Sequence, residues 1–521
     1  MDYTIINGTV VDGTGRPGFR ADVAVADGTI AAVAPSLPRR GSVIDAEGQV
    51  VCPGFIDIHS HSSLIWLSDP RVDPKIHQGI TTEVAGLDGY SAAPISPRDQ
   101  PLWRAQLEGL EGNPGEWDWQ SFAQYRDRLV NTSPNWAPMV GHGNLRLAVL
   151  GMENRPATPD ELRSMAEVLE ASFQEGASAL SSGLIYVPQA YGNLDELVAL
   201  GKVVARHGKF FSFHIRSQGD FIVPALEEVL EVGRRSGCSI QITHFQIGSR
   251  QMWGRLDRVV EMIESARREG VDVACDQYVY TAGSTFLSAV LPPWATGGGP
   301  DGLRRILESR EERARLERDT LEGLPGQWDS RFRTTGPENI YVSFVKSSAN
   351  EGLVGKSLSQ IAEVWGVTPY EALIRLLLEE EFAVTMILFS QSEEVVEEIM
   401  KLPWHMFCSD AVMIGKPHPR AYGNYPRILG HFVRERRVLT LEDAIKKATS
   451  VPAARLGLRD RGVVEEGKAA DLVVFDPARV KDTATYDDPM QYPVGINHVL
   501  VNGRLVISEG RHTGALPGHA L

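Results

Sequence analysis

The sequence predicts an α/β protein built on a (β/α)8 barrel, with a small β-domain drawn from both ends of the chain and an insertion ahead of the last barrel strand. Three observations predict it. Short strand-like runs alternate with helices through the middle of the chain, both ends read as apolar runs broken by Asn-Gly and Asp-Gly, and the alternation lapses between Tyr280 and His405.

At the N-terminal end, Tyr3–Ile6, Val10–Asp12, Asp22–Val25 and Thr29–Val33 read as strands, with turns at Asn7–Thr9 and Asp27-Gly28, where residues that tolerate positive φ stand. The C-terminal stretch reads alike, as Ala470–Phe475, His498–Val501 and Arg504–Ile507 around Asn502-Gly503. Next to the first group lies Cys52–His61, an apolar strand ending in HSH. Thr158 with Glu161 is a capping box opening a helix that ends at Gly176. Then follow a strand at Ala177–Leu180, a helix at Leu194–His207, a strand at Phe210–His214, a helix at Val223–Arg234, a strand at Ser239–His244, a helix at Leu256–Arg268 and a strand at Val271–Cys275. This count fits a barrel better than a doubly wound sheet. Phe286–Pro403 is too long for a simple connection and reads as an inserted subdomain, with a charged helix at Leu303–Arg318 and a capped apolar one at Thr368–Glu380.

Composition excludes several classes of function. The net charge is −15, from 52 basic and 67 acidic residues, which argues against nucleic acid or an anionic membrane as the partner. No apolar run approaches the roughly 18 residues that a membrane helix needs, and the N-terminal residues do not resemble a signal peptide. The four cysteines are scattered, as in reduced cytoplasmic proteins, so the expected location is the cytoplasm.

Side chains alternate along a strand, so His59 and His61 are expected to face one way and share a metal ion. His214, His244 and Asp410 stand at or just past the ends of later predicted strands, and in a barrel such ends gather on one face. Four imidazoles and a carboxylate suit Zn2+ or a similar divalent ion. His142, His207 and His405 read as structural.

CPGFIDIHSH, HQGITTEVAGLDGYSAAP (77–94), SSGLIYVPQAY (181–191), DQYVYTAGST (276–285), HPRAYGNYPRILG (418–430) and KAADLVVFDP (468–477) together resemble the N-acyl-D-amino-acid deacylase (D-aminoacylase) family of the amidohydrolase superfamily. The resemblance spans nearly the whole chain. It implies a TIM-like barrel over residues 52–456, a small β-sandwich made from 1–51 and 457–521, and an insertion subdomain at 286–403. It also implies that His59, His61, His214 and His244 bind one or two zinc ions, and that Asp410 both touches metal and is the catalytic base. Water activated by metal then attacks a linear amide, and Asp410 passes the proton to the leaving amine.

The chain departs from the family's pattern in two places. The branch carries a cysteine ligand in a GNCG-like stretch where this chain has Gly86-Leu87-Asp88-Gly89, which makes Asp88 the candidate bridging or fourth ligand; the alternatives are a turn residue before Gly89, or Glu83 as a weaker substitute. Relatives that bind a D-amino-acid carboxylate use a lysine two residues after the sixth-strand histidine, where this chain has Gln246. Arg420 and Tyr278 or Tyr280 remain to hold a carboxylate, Tyr186 lines the pocket or polarises a carbonyl, and Trp294 and Phe286 are candidate acyl contacts. The expected substrate is a small amide, most plausibly an N-acyl-D-amino acid. The competing readings are another amide or cyclic amide on the same metal site, and a non-catalytic assembly protein; homo-oligomerisation is left open.

Overall fold

The computed structural model describes residues 2–129 and 131–521. Strands β1 (Tyr3–Val10), β2 (Phe19–Ala26), β3 (Thr29–Ala34), β4 (Ser42–Asp45) and β5 (Val50–Pro53) come from the N-terminal region. A parallel series follows: β6 (Phe55–Ser60), β7 (Ile80–Ala85), β8 (Asn135–Pro138), β9 (Val140–Gly141), β10 (Leu180–Gly183), β11 (Phe210–His214), β12 (Ser239–Ile242) and β13 (Val273–Gln277). The insertion contributes β14 (Ala282–Phe286), β15 (Ile340–Val345) and β16 (Val384–Phe389); β17 (His405–Phe407) then returns to the parallel series, and β18 (Leu472–Phe475), β19 (Ile496–Val501), β20 (Arg504–Ser508) and β21 (Arg511–His512) end the chain.

Strands from both ends join one nine-stranded sheet in the order β21-β20-β19-β18-β5-β1-β2-β3, with β4 also on β1. Its central seam is β18 against β5, antiparallel, with Val473 opposite Cys52. The expected turn at Asn7–Thr9 is instead a bulge inside a single strand. The register shifts between Ile5 and Gly8, and Asn7 takes φ +62° with its N–H on Asp22 Oδ1 at 3.0 Å. An Asn-Gly pair serves either geometry, and continuous pairing with β2 decides it.

In the parallel series the pairing order is β6-β7-β8 and β9-β10-β11-β12-β13-β17, and only Met139 separates β8 from β9. Past β17 the chain returns to β6: Ala411 bridges Ser60 in parallel, and the Asp410 N–H donates to His59 O at 2.9 Å. Helices follow the strands with local stop and start signals. Thr158 and Glu161 form the expected capping box on Pro159–Gln174, and Thr368 with Glu371 does the same for Pro369–Glu379. The charged run expected as one helix at Leu303–Arg318 is two, Gly299–Glu308 and Arg310–Glu322, because Ser309 caps the second by accepting from Glu312 N–H at 3.3 Å.

The insertion's sheet has the antiparallel order β14-β16-β15 and starts at Ala282, four residues ahead of the expected boundary. Its apolar residues Ile340, Val342, Leu373 and Met386 share a core with Phe213, Ile242 and Val273 of the parallel strands. Burial on this scale, at about 25 cal/mol per Å² of apolar surface, welds the insertion to the body. Among the described residues no helix is long and apolar enough to cross a membrane, and all four cysteines are free and buried.

His142 sits at the start of helix His142–Leu150, with Nε2 2.8 Å from Glu196 Oε1 and Nδ1 2.9 Å from Ser182 Oγ, while Arg146 donates to both Glu196 oxygens at 2.7 and 2.6 Å. Burial alone would raise the Glu196 carboxyl, but the His142 and Arg146 contacts outweigh it and pull it down to about 2. A carboxyl lowered on folding stabilises above its ordinary value of 4.5 and loses that contribution as the pH falls towards 2. Glu196→Gln is therefore expected to cost on the order of 3 kcal/mol at pH 7. In urea titrations the gap from the parent should close between pH 4.5 and 2; a gap independent of pH would contradict this origin.

Candidate metal centre and active site

The site forms where the parallel strands end. His59 lies on β6, His214 closes β11, His244 lies two residues past β12, and Asp410 three past β17. Strict alternation does not hold on β6. Asp57 is opposite Glu83 while Ser60 is opposite Ala85, so one extra residue is inserted between them. The bulge still brings the two histidines to one point, with Nε2 of His59 and of His61 at 3.4 and 3.2 Å from the same oxygen, Asp410 Oδ1.

Asp88 occupies the centre. Its Oδ2 lies 3.9 Å from His59 Nε2, 3.8 Å from His61 Nε2, 3.6 Å from His214 Nδ1 and 3.5 Å from His244 Nε2. It also turns the chain, at φ +54°, and Gly89 beyond it has no room for a side chain, since a Cβ there would lie 2.6 Å from Gln189 Nε2 and 3.0 Å from Gly183 N. Glu83 is elsewhere. It belongs to a fully buried cluster in which Lys75 Nζ meets Asp57 Oδ2 at 2.6 Å, Glu83 Oε1 at 2.9 Å, and the hydroxyls of Ser60 and Ser409 at 2.7 Å each. Ser60 separates the two histidines and Ser409 precedes Asp410, so this cluster anchors the segments that carry His59, His61 and Asp410. Lys75→Met would leave two buried carboxylates without their counter-ion, a change expected to cost roughly 3–5 kcal/mol. The readout is Tm; a loss under 1 °C would refute the anchoring role.

Asp276, unremarked in the sequence except as part of DQYVY, positions two of the clustered histidines. Its Oδ1 accepts the His244 backbone N–H at 2.8 Å and lies 3.3 Å from His59 Nδ1, and Gln241 holds its other oxygen at 2.8 Å. An ionised carboxylate only accepts, so Nδ1 of His59 carries a hydrogen; against the effect of burial, the carboxylates of Asp410, Asp88 and Asp276 push this imidazole up to about 9, so a cation taken at Nε2 would displace a proton there. The His244 backbone, at φ +33°, is held in the left-handed region by that bond.

Asp410 is ionised. Burial alone would raise its carboxyl, yet the Arg420 guanidinium and the neighbouring imidazoles hold it well below the usual carboxylate range. Arg420 is fully buried, with Nη1 2.9 Å from Asp410 Oδ2 and its guanidinium 4.2 Å from the centre of the Tyr278 ring. Burial and the adjacent His244 push His214 down to about 4, leaving its ring neutral at pH 7.

The residues fit a divalent ion. His59 Nε2 and His214 Nδ1, the nitrogens that face Asp88, are buried without a hydrogen-bond partner. The ligand atoms fall into four overlapping groups: His59, His61 and Asp88; Asp88, His214 and His244; His59, His244 and Asp410; and His59, Asp276 and Cys408. Imidazole and carboxylate donors converging within one cluster suit zinc, and Asp88, shared by two of the groups, suits a pair of ions.

Above the cluster a cavity is lined by Tyr90, Tyr186, Gln246, Tyr278, Thr285 and Arg331 among others. Tyr186 OH meets Thr285 Oγ1 at 2.7 Å. Gln246 donates to Gln218 at 2.5 Å and accepts from Tyr278 OH at 3.0 Å. Tyr280 is not at this cavity: its OH donates to Asp482 at 3.2 Å, because the chain leaves β13 at Gln277 and sends alternate tyrosines to different sides. Phe286 lines an adjoining apolar cavity with Ile185, Val187 and Leu291, whereas Trp294 lies under Arg315 and donates to Asp319. His207 and His405 lie outside the cluster.

A model of the amidohydrolase family matches residues 42–210 and 371–507. A D-aminoacylase of Alcaligenes xylosoxydans xylosoxydans is 34% identical, covering 100% of this chain and 97% of its own. The chain belongs to the amidohydrolase family. Within it the likeness is to deacylases: an N-acyl-D-glutamate deacylase of the same bacterium is 35% identical over 98% of this chain and 94% of its own. The fold is the α/β amidohydrolase type found in solved relatives. The N-acyl-D-glutamate deacylase of Bordetella bronchiseptica, complexed with zinc and a phosphonate mimic of the tetrahedral intermediate, superposes with a TM-score of 0.85 at 34% identity, covering 100% of this amidohydrolase and 99% of that chain. A D-aminoacylase whose binuclear metal centre is described as having one-metal activation and second-metal attenuation gives a TM-score of 0.82 at 32% identity, with 100% and 99% covered.

Proposed function

We propose that this protein deacylates N-acyl-D-amino acids, hydrolysing the linear amide to a carboxylic acid and a D-amino acid. The observation that carries this reading is the position of Asp88 Oδ2 among four imidazoles, beside an ionised Asp410 and beneath a cavity lined by Tyr186, Tyr278 and Arg331. Full-length likeness to deacylases supports it.

One zinc would be held by His59, His61 and Asp410, and a second by His214 and His244, with Asp88 common to both. Zinc supplies Lewis acidity, which acidifies a bound water and polarises a carbonyl oxygen. Asp410 receives the proton of the attacking water at a carboxylate oxygen and returns it to the departing amide nitrogen, ending the cycle ionised. Arg420 orients that carboxylate through Oδ2 and leaves Oδ1 towards the cluster. Tyr186, kept as a neutral phenol by burial, offers an O–H donor at the cavity wall.

We further read β6, β7, the run of β8 and β9, β10 to β13 and β17 as the eight strands of a closed TIM-like barrel within residues 52–456, a reading supported by the Ser60–Ala411 bridge. The β-sandwich would be 1–51 with 457–521, and the insertion subdomain 286–403. Four free, buried thiols support a cytoplasmic location.

The test is a panel of N-acyl-D-amino acids, N-acyl-L-amino acids and neutral amides given to zinc-loaded protein. Turnover is expected with the D series, and removal of metal by chelation should abolish it. Turnover confined to neutral or cyclic amides, or insensitive to metal removal, would overturn the assignment.

A further inference from the structure

The cavity wall contains a cation that the fold leaves without a counter-ion. Arg331 opens the short helix Arg331–Thr334 of the insertion and lines the cavity beside Tyr186, Tyr278 and Thr285. Its guanidinium donates from Nε to Ala289 O at 3.3 Å, and among the described residues it has no carboxylate partner within the 4.0 Å of an ion pair. Asp329, two residues earlier, is committed elsewhere: it accepts from Ser217 Oγ and from the backbone N–H groups of Gly219 at 3.2 Å and Phe221 at 3.3 Å. Burial pushes the Arg331 guanidinium below its ordinary range. Arg331 is half-buried, and a partly desolvated charge without a partner carries a cost that is offset when an anion docks on it.

The other arginine and amide groups near the cavity already have protein partners. Arg420 is fully buried behind Asp410 and is not part of the cavity wall. Gln246, at the position where a carboxylate-binding lysine was expected, spends its amide on Gln218 and Tyr278. Gln391 in turn donates to Tyr278 OH at 2.8 Å, so this side of the pocket is an uncharged, internally bonded chain. An anionic substrate group entering here meets one unneutralised cation, and it comes from the insertion.

We propose that Arg331 binds the substrate's carboxylate, so that an N-acyl amino acid lies with its acid group on the insertion wall and its amide over the Asp88 and Asp410 cluster. This rests on the deacylase reading above and assigns the acid-recognition role to a residue outside the parallel-strand body. A guanidinium can take a carboxylate through two parallel N–H bonds, which would orient as well as attract the substrate.

The experiment compares N-acetyl-D-leucine with N-acetyl-D-leucinamide, which differ only in the acid group, on zinc-loaded wild type, Arg331→Gln and Arg331→Lys. The wild type is expected to favour the acid in kcat/KM. Arg331→Gln should reduce that preference by about 100-fold, mostly through KM, with Arg331→Lys in between. An unchanged preference would overturn the proposal, even if both rates fall, since that pattern marks a structural role. If wild type turns over neither compound, the deacylase reading fails by itself. Calorimetric binding of the same two compounds then decides Arg331: tighter binding of the acid that disappears in Arg331→Gln supports it, and no such preference overturns it.

Discussion

Asp410→Asn is expected to lower kcat by about 10³-fold, the upper part of the range that a positioned proton acceptor supplies. The amide keeps the side chain's shape and one acceptor oxygen but takes no proton at neutral pH. Stability should change too, because Arg420 is fully buried and Asp410 is its ion-pair partner at 2.9 Å. Leaving that guanidinium uncompensated costs of order 3 kcal/mol. The variant should therefore fold with a lowered Tm, and near-parental zinc content would show that the loss lies in proton transfer. A kcat within tenfold of the parent, measured on folded and metal-loaded protein, would remove Asp410 from the role of base.

Asp88→Ala should have the larger effect on metal. The substitution deletes the carboxylate shared by two of the ligand groups and leaves four imidazoles facing each other, with His214 and His244 rings only 4.4 Å apart between centres. Asp410 remains beside His59 and His61, but the His214 and His244 pair loses its carboxylate and becomes a neutral-donor set of lower affinity. Zinc retained after dialysis should fall by at least one ion per chain. Asp88→Cys, which supplies the thiolate that the deacylase resemblance implies at this position, should hold zinc at least as tightly as the parent, since thiolate is the softer donor. Parental stoichiometry in Asp88→Ala would reduce Asp88 to a turn residue.

The readable parts of the sequence were those governed by short-range rules. Capping boxes at Thr158 and Thr368 need only four residues, and both helices start where expected. His214, His244 and Asp410 were readable because each follows a short apolar run, and their convergence follows from the parallel order of those runs. The route to His59 and His61 was less direct: simple alternation put the two on one face, whereas a bulge that no local pattern marks brings them together. Glu83 and Tyr280 were misplaced for a common reason, since a residue beside a strand has two faces to choose from and the choice depends on distant partners, Lys75 in one case and Asp482 in the other. Asp276 sits within a strand, and Arg331 comes from an insertion whose contact with the cavity is set by tertiary packing. Neither position carries a sequence signal.

The seam between β18 and β5 also sets an order of events during synthesis. Val50 pairs with Phe475, so the N-terminal strands leave the ribosome long before their partners exist. At about 5–20 residues per second the wait is of the order of a minute or less, spent with open strand edges. Gly54 alone separates β5 from β6, the strand that carries the first histidines. β18, translated late, thus completes the support behind His59 and His61, and a nascent chain arrested before residue 472 is expected to expose β5 to chaperones and to other nascent chains.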